Sequence, residues 1–294
     1  MTNQKKATLY ALGAVLIWST MASAFKLSLR HLEPVQLLLY SGAFATLFLG
    51  LVLIRQGQFA QVFRCRREEY GRSLLFGLLN PFLYYLVLLK AYDLLPAQQA
   101  QSINYSWAIT LTLLSIPLLK QKVAGLEWLA LLLSYGGVVI IATQGQPFQM
   151  SVSSPPGVAL ALLSTVIWSL YWIFNTRDRR PAVVALFVNF LCAFPFVLGY
   201  ALFFSDLARP SLPGLLGAAY IGVLEMGAGF ILWLLALKYS ENTARIGNLI
   251  FIAPFLSLVL IRFLVGERIH PATFGGLLLI VAGLALQKCA ARRA

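Results

Sequence analysis

Charged side chains are scarce in this sequence: Asp, Glu, Lys and Arg together make up 11% of its 294 residues. Soluble globular proteins contain about 25%, so a chain of this length has too few charges to cover a surface exposed to water. Hydrophobic residues reach 60%, and the mean hydropathy is +0.80. The composition excludes an ordinary soluble domain and indicates an integral membrane protein.

Cysteine and histidine are also rare. The three cysteines, Cys65, Cys192 and Cys289, lack the paired spacing of a disulfide framework or a zinc site. The two histidines, His31 and His270, both fall between predicted helices. No G-x-S-x-G, H-E-x-x-H or Walker A pattern occurs. We therefore expect no enzyme activity, no metal, no cofactor and no ATP-driven pump in this chain.

The charge that is present is mostly positive, with a formal net charge of +13. A basic chain can bind nucleic acid, but here Lys and Arg lie between the apolar segments. There is no basic amphipathic helix and no RNA-binding motif. This placement is typical of the cytoplasmic loops of membrane proteins, and we expect no nucleic-acid partner.

Long apolar segments fill most of the chain, such as LLLYSGAFATLFLGLVLI at 37–54. A membrane-spanning helix needs about 20 mostly apolar residues, whereas strands of membrane barrels alternate apolar and polar residues. The segments do not alternate, so we predict an all-α membrane protein with ten transmembrane helices. The predicted helices cover 7–29, 34–54, 71–92, 96–118, 126–143, 156–175, 181–204, 213–238, 243–264 and 271–288.

Lys and Arg are distributed unequally between the two sides of these predicted helices. The side that carries both termini collects 17 of them and the other side 6. Positive residues are retained on the cytoplasmic side, so we predict that both termini are cytoplasmic. The six on the opposite side are Lys26, Arg30, Lys90, Arg209, Arg262 and Arg268.

The two halves of the sequence resemble each other. LIWS at 16–19 aligns with VIWS at 166–169, and Pro34 and Tyr92 align with Pro181 and Tyr239. Apolar sequences rich in Leu and Gly also align by chance, which is the alternative. Because five helices is an odd number, a repeat of 1–150 by 151–294 would insert the second copy upside down, as in many secondary transporters.

The second half carries a recognisable pattern over residues 236–283. Its members are Ala236-Leu237-x-Tyr239, Ala244, the embedded Pro254, Gly266-Glu267, and Gly275, Gly276 and Gly283. This pattern, with ten helices and short loops, resembles the drug/metabolite transporter superfamily and its EamA-type repeat. The first half departs from it at Trp107-Ala108, where the embedded proline would stand, and at Leu119-Lys120, which replaces Gly-Glu.

Within that superfamily, PAQQAQSINYSWAITLTLLSI at 96–116, with Asn104-Tyr105-x-Trp107, resembles the YddG-type bacterial aromatic amino acid exporters. The resemblance implies export of neutral amino acids, aromatic ones foremost, across the bacterial inner (cytoplasmic) membrane. Its implied partners are the small-molecule substrate and membrane lipid, and we expect a monomer.

Polar and aromatic residues within the predicted helices are candidates for lining a transport pathway, because polar groups facing lipid are unfavourable. Gln98, Gln101, Tyr105, Ala108 and Thr112 share one helical face. The predicted substrate-binding residues are Trp18, Asn80, Tyr84, Gln101, Tyr105, Trp107, Trp168 and Trp172. The alternatives are hydrogen bonding between helices for the polar residues and a place at the membrane interface for the aromatic ones.

Glu225 is the one acidic residue near the middle of a predicted helix, in IGVLEMGAGF. A charge there costs about 2.5–3.5 kcal/mol on insertion scales, so it needs a partner or a purpose. It could accept a proton during coupling or pair with a substrate ammonium group, or it could be neutral and hydrogen-bonded. Pro81 and Pro254 are candidate bends for gating.

The predicted function is therefore a secondary-active or facilitative transporter that exports neutral, chiefly aromatic, amino acids by alternating access. A carrier for phosphorylated or nucleotide-linked sugars is the alternative, but such substrates need Lys or Arg in the cavity. An intramembrane enzyme or a structural protein is disfavoured, since neither requires two inverted copies.

Overall fold

The computed structural model describes residues 2–119, 125–146, 154–175, 178–207, 209–240 and 249–291. Nearly all of these residues are helical, and none of them forms a strand. In chain order the helices are α1 (Asn3–Ser28), α2 (Pro34–Arg55), α3 (Arg67–Leu94), α4 (Ala97–Asn104), α5 (Trp107–Leu119), α6 (Gly125–Ala142), α7 (Pro155–Asn175), α8 (Ala182–Phe204), α9 (Leu212–Tyr239), α10 (Ile252–Val265) and α11 (Pro271–Ala291). A short 3-10 helix lies between α2 and α3 at Phe59–Arg64.

Six of the described helices are long and apolar enough to cross a membrane: α1, α2, α3, α7, α8 and α9. Shorter apolar helices lie within α6, α10 and α11. Large apolar side chains on the outside of the bundle are exposed, including Leu132, Phe203 and Phe263, at 71%, 84% and 80%. Exposed apolar surface of this extent belongs in a hydrocarbon environment. The all-α membrane fold predicted from the sequence is confirmed.

Helix starts follow the positions of proline. Pro34, Pro155 and Pro271 each stand at the first residue of a helix, where the missing N–H would have had no partner. The predicted bounds accordingly lie within a few residues of the observed ones. One prediction is wrong: 96–118 is not one helix, because the chain turns at Tyr105–Ser106 between α4 and α5. Of the predicted helix 243–264, residues 243–248 lie outside the described residues.

Three helices contain irregular turns, two of them midway along the helix and one at its end. In α3, Asn80 adopts extended backbone angles (φ −146°, ψ 118°) immediately before Pro81, within the wide turns of Leu78–Leu83. π-helical turns occupy Ile221–Gly229 of α9 and Ile261–Val265 of α10. Such turns are frequent at functional sites. Helices α3 and α9, which contain the first two of them, both contribute side chains to a cavity in the interior of the bundle.

The first five helical segments pack mainly against the later ones. α1 lies against α9 and α10, α2 against α8 and α9, and α3 against α7 and α8. α5 packs on α7, and α6 runs along α11. The two parts of the chain are thus interleaved, and α1, α3 and α7 come to surround a common interior.

Glycines bring α6 and α11 into close contact. A Cβ at Gly137 would overlap the carbonyl oxygen of Gly276, and a Cβ at Gly276 would overlap that of Gly137. Small residues allow such close approach between membrane helices. The two helices therefore pack tightly along one another.

Candidate functional site

A cavity of about 270 Å³ lies inside the bundle. Binding pockets for small molecules span roughly 300–1,000 Å³, so this cavity lies just below the lower end of that range. Its lining residues come from α1, α3, α4, α5, α7, α9 and the segment before α10: Trp18, Met21, Ala22, Phe25, Tyr84, Leu88, Tyr92, Gln101, Asn104, Tyr105, Trp107, Ala108, Leu111, Trp168, Trp172, Glu225, Phe230, Trp233, Ile250 and Phe251.

The turn between α4 and α5 brings polar and aromatic residues to the cavity together. Tyr105 still donates its N–H to the Gln101 carbonyl at 2.9 Å, whereas Ser106 donates to the Ile103 carbonyl at 3.0 Å, three residues back. The tightened turn rotates α5 relative to α4, so that Gln101, Tyr105 and Trp107 all line the cavity. A continuous helix would not have placed Tyr105 and Trp107, two residues apart, on one wall.

Trp168 is at the centre of the aromatic wall. Its ring stacks on Tyr84 with centroids 4.5 Å apart and planes at 28°, and meets Phe230 edge-on at 5.8 Å. Trp172 and Trp107 approach it at 5.8 and 6.4 Å, both nearly perpendicular. Stacked and perpendicular pairs are the favourable geometries for aromatic rings. The wall is therefore preformed.

Trp18 faces the same cavity from α1. Its ring lies 5.5 Å from Trp233 and 6.1 Å from Phe230. Gly229 makes room for it, because a Cβ there would lie 2.8 Å from the Trp18 indole nitrogen. Trp18 and Trp168 both contact Phe230, so the rings from α1, α7 and α9 form a continuous surface.

Glu225 contributes the one charged side chain among the described lining residues. Its Oε1 accepts a hydrogen bond of 3.2 Å from the Tyr85 hydroxyl, while its Oε2 is buried and has no donor. The Tyr85 ring lies 4.9 Å from that of Tyr84. Glu225 is thereby connected to the stack formed by Tyr84 and Trp168.

Two further polar atoms in the lining are buried without a hydrogen-bond partner: the Oε1 of Gln101 and the Nε1 of Trp172. Buried polar groups are normally paired. By contrast, the Asn104 amide donates to Ser164 Oγ at 2.9 Å and its Oδ1 accepts from the Tyr84 hydroxyl at 3.5 Å. The unpaired atoms of Gln101, Trp172 and Glu225 thus belong to residues that line the cavity.

Hydrogen bonds join the start of α4, one turn before the lining residue Gln101, to the loop after α10. Glu267 accepts hydrogen bonds from the backbone N–H groups of Ala97 (2.8 Å) and Gln98 (3.3 Å). The Gln98 side chain in turn donates to the Arg268 carbonyl and accepts from the His270 N–H, at 2.9 and 2.8 Å. Gly266, with φ +82°, ends α10 in the left-handed conformation and directs the loop toward α4.

Lys26 makes further hydrogen bonds near Glu267. Its Nζ donates to the carbonyl oxygens of Tyr92 (2.7 Å) and Leu95 (2.8 Å). Tyr92 also lines the cavity, so the contact binds α1 to the end of α3 directly beside the interior.

Of the residues predicted to bind substrate, Trp18, Tyr84, Gln101, Tyr105, Trp107, Trp168 and Trp172 all line the cavity, as does Glu225. Asn80 does not: it is buried at the break in α3, close to Tyr171 of α7. Pro81 and Pro254 are buried in α3 and α10 and are not among the lining residues.

The sequence analysis missed Phe230 and Trp233 of α9 and Tyr92 of α3. Phe230 and Trp233 stand three apart, one turn beyond Glu225, and this spacing was the available signal. Gln98 and Thr112, grouped with the lining residues by helical periodicity, are outside the lining. The Gln98 side chain bonds the loop after α10 instead.

Fold and site together define a multi-pass helical membrane protein with a cavity lined by aromatic side chains in its interior. The chain belongs to the EamA-like transporter family, within the drug/metabolite transporter superfamily. It matches the family over residues 5–143 and again over 155–287.

Several curated proteins are similar to this chain over nearly their whole length. The aromatic amino acid exporter YddG of Ancylobacter novellus is 26% identical over 294 residues, covering 99% of this chain and 100% of the relative. A probable amino-acid metabolite efflux pump of Salmonella typhimurium is 25% identical over 298 residues, covering 95% and 94%. The uncharacterised transporter YvbV of Bacillus subtilis is 25% identical over 277 residues, covering 92% and 88%.

A solved crystal structure has the same overall fold. It superposes with a TM-score of 0.69 at 24% sequence identity and covers 98% of both chains. At this identity the likeness concerns the fold alone.

Proposed function

We propose that this protein is a secondary-active or facilitative transporter that exports neutral, chiefly aromatic, amino acids by alternating access. The observation that carries the proposal is the cavity lined by Trp18, Tyr84, Trp168 and Phe230, with a single carboxylate at Glu225. Aromatic walls hold an aromatic ring by stacking, at about 0.5–1.5 kcal/mol per contact beyond burial. The names of the relatives from Ancylobacter and Salmonella point in the same direction.

The proposed architecture is ten membrane spans in two inverted repeats, residues 1–150 and 151–294. The double match to the EamA family supports it. The packing also supports it. Helix α1 packs on α9 and α10, and α7 packs on α3 and α5. These contacts would be equivalent if a two-fold axis in the membrane plane exchanged the halves. In this arrangement Trp18 and Trp168 are equivalent residues.

We further propose that the protein lies in the bacterial inner membrane as a monomer, with both termini in the cytoplasm. The distribution of Lys and Arg supports this orientation. The end of the cavity next to the contacts of Glu267 and Lys26 then faces outward. It would act as the outer gate of the alternating-access cycle, and no enzymatic step or cofactor is required.

The carboxylate of Glu225 is proposed to take part in coupling or in holding the substrate ammonium group. Unpaired charges are unfavourable within a bilayer, so a proton and an ammonium group compete for the same oxygen atoms. That competition is sufficient to couple the movement of one to the movement of the other.

A carrier for phosphorylated or nucleotide-linked sugars remains the alternative function. Phosphate groups are bound by Arg or Lys, and no Lys or Arg is found among the described residues that line the cavity. Arg245 lies outside the described residues. Competition with sugar nucleotides in the transport assay below distinguishes the two functions.

The decisive experiment is counterflow in proteoliposomes with a panel of labelled amino acids. We expect uptake of labelled tryptophan or phenylalanine into vesicles preloaded with the same amino acid. Folded protein that exchanges no amino acid would refute the proposal. Repeating the assay with Glu225→Gln, with and without a pH gradient, separates exchange from coupling: a coupling residue is needed for accumulation against a gradient but not for exchange.

A further inference from the structure

The charge of the cavity does not match that of an amino acid. A neutral amino acid carries one ammonium and one carboxylate, whereas the described lining offers one carboxylate, Glu225, and no cation. None of the salt bridges among the described residues involves Glu225. The ammonium half of such a substrate therefore has a complementary charge in the described site, and the carboxylate half has none.

Glu225 is positioned to receive a cation. Its Oε1 is held by the Tyr85 hydroxyl at 3.2 Å, while Oε2 is buried with no donor. An ammonium group supplies up to three N–H donors, and the unpaired Oε1 of Gln101 is a second acceptor in the same lining. Aromatic faces such as Tyr84 and Trp168 also attract cations.

The site has little to offer a carboxylate. The N–H and O–H donors among the described lining residues are all uncharged, including the indole Nε1 of Trp172, which is buried without a partner. A ligand carboxylate would in addition bring a second negative charge into a cavity that already contains Glu225. Like charges placed close together are strongly unfavourable at a binding site.

We propose that the cavity recognises an aromatic ring with an ammonium group and does not require a carboxylate, so that aromatic monoamines are a further ligand class. The inference rests on the proposed function in placing substrate in this cavity, but it concerns a different chemical class. Phenethylamine, which is phenylalanine without its carboxylate, is the simplest representative.

Three ligands that share one ring test this proposal: phenethylamine, L-phenylalanine and 3-phenylpropionate. A ligand that binds the folded state raises the melting temperature of the purified full-length protein. We expect phenethylamine to stabilise the protein at least as well as phenylalanine, and phenylpropionate to have no effect at the same concentration.

Two variants test whether the Glu225 carboxylate is responsible for phenethylamine binding. Glu225→Gln is expected to weaken phenethylamine binding at least about tenfold, because a charge-assisted contact becomes a neutral one. Glu68→Gln, at an exposed carboxylate in the first turn of α3, is the matched control and is expected to bind all three ligands as the wild type does. Equal phenethylamine affinity in Glu225→Gln and wild type would overturn the proposal.

The ligand series in the wild type decides the matter even if Glu225→Gln does not fold. Phenylalanine binding without phenethylamine binding overturns this inference and leaves amino-acid export standing. Phenethylamine binding without phenylalanine binding supports the inference and overturns amino-acid export. Phenylpropionate binding as tight as that of phenethylamine overturns recognition through the ammonium group.

Discussion

Among single residues, Trp168 has the most direct influence on the cavity. Its ring touches Tyr84, Trp107, Trp172 and Phe230 at 4.5 to 6.4 Å. A bound ring would extend this set of contacts, and removal of Trp168 would also loosen its neighbours. We therefore propose that Trp168 both contacts a bound ring and positions the neighbouring side chains.

We predict that Trp168→Leu raises the KM for an aromatic amino acid about tenfold or more, because several aromatic contacts of about 0.5–1.5 kcal/mol each are lost. The KM for threonine, which has no ring to stack, should change less. Counterflow kinetics in liposomes measure both. Trp128→Leu, at an exposed tryptophan of α6, is the control; equal KM values in the two variants would refute the role of Trp168.

Asp178 and Arg180 form a buried ion pair in the connection between α7 and α8. Arg180 Nη2 lies 2.6 Å from Asp178 Oδ2 and its Nε lies 3.0 Å from Oδ1, with side chains 6% and 8% exposed. Burial opposes the charged form of Asp178, but the hydrogen bonds and charge of Arg180 outweigh it and hold the pKa of Asp178 below its ordinary value. The same pairing raises the pKa of Arg180 despite its burial.

We predict that Asp178→Asn lowers stability at pH 7 by about 3–5 kcal/mol, because it leaves Arg180 buried without its partner. Since the pKa of Asp178 is depressed by folding, this stabilisation is complete at neutral pH and is lost as the pH falls through the folded-state value, below about 4. Melting curves of wild type and variant in detergent should therefore converge in acid. A difference that persists unchanged at pH 3 would contradict the assignment.

Single residues of the cavity could be predicted from the sequence where an internal repeat or a helical face indicated them. Trp18 and Trp168 followed from aligned repeats and Gln101 from a polar face, and all three line the cavity. Asn80 could not be placed, because the extended angles at this residue turn its side chain away from the face that an intact helix would give it. The binding roles of these residues stay predictions.

Among the helices, α4 depends on a residue far away in sequence. Its first two free N–H groups are bonded by the carboxylate of Glu267, from the loop after α10. A negative charge at a helix N-terminus is favourable, so the contact stabilises α4 and fastens two distant segments together. This gives a physical role to the Gly-Glu pair of the sequence pattern.

We predict that Glu267→Gln loosens the outer end of the cavity, because the charge-assisted bonds to α4 are lost. An Ala97→Cys reporter, fully buried in the wild type, should react faster with a membrane-impermeant thiol reagent in the Glu267→Gln background. The control is Asp93→Asn, which removes an acidic group from an exposed pair with Lys90 nearby. Equal labelling rates in the two backgrounds would contradict the role of Glu267.

Element boundaries were largely predictable, and interruptions within elements were not. Proline at Pro34, Pro155 and Pro271 marks helix starts by chemistry that is local in the sequence. The turn at Tyr105–Ser106 carries neither Gly nor Pro, so nothing in the local sequence indicates it. Such a turn is set by the packing of the buried residues around it, which a single sequence does not contain.

At the level of the whole molecule, the proposed orientation places both chain ends on one side of the membrane. We predict that Asn3→Cys and the native Cys289, studied with the other cysteines replaced, react with an impermeant thiol reagent only after cells are permeabilised. Arg209→Cys, in an outer connection, should react in intact cells and serves as the positive control. Labelling of one terminus alone in intact cells would rule out the even number of spans.

The contact between Glu267 and α4 has a consequence for the direction of transport. In the first half of the sequence, Leu119-Lys120 stands where the second half has Gly266-Glu267, so the proposed inverted repeats would not supply an equivalent carboxylate to both faces of the membrane. Each charge-assisted bond contributes about 1.5–3 kcal/mol, and each 1.4 kcal/mol is a tenfold change in population. Without substrate, the proposed carrier is therefore expected to rest with its cavity open to the cytoplasm. Reopening toward the outside would then limit the rate of efflux.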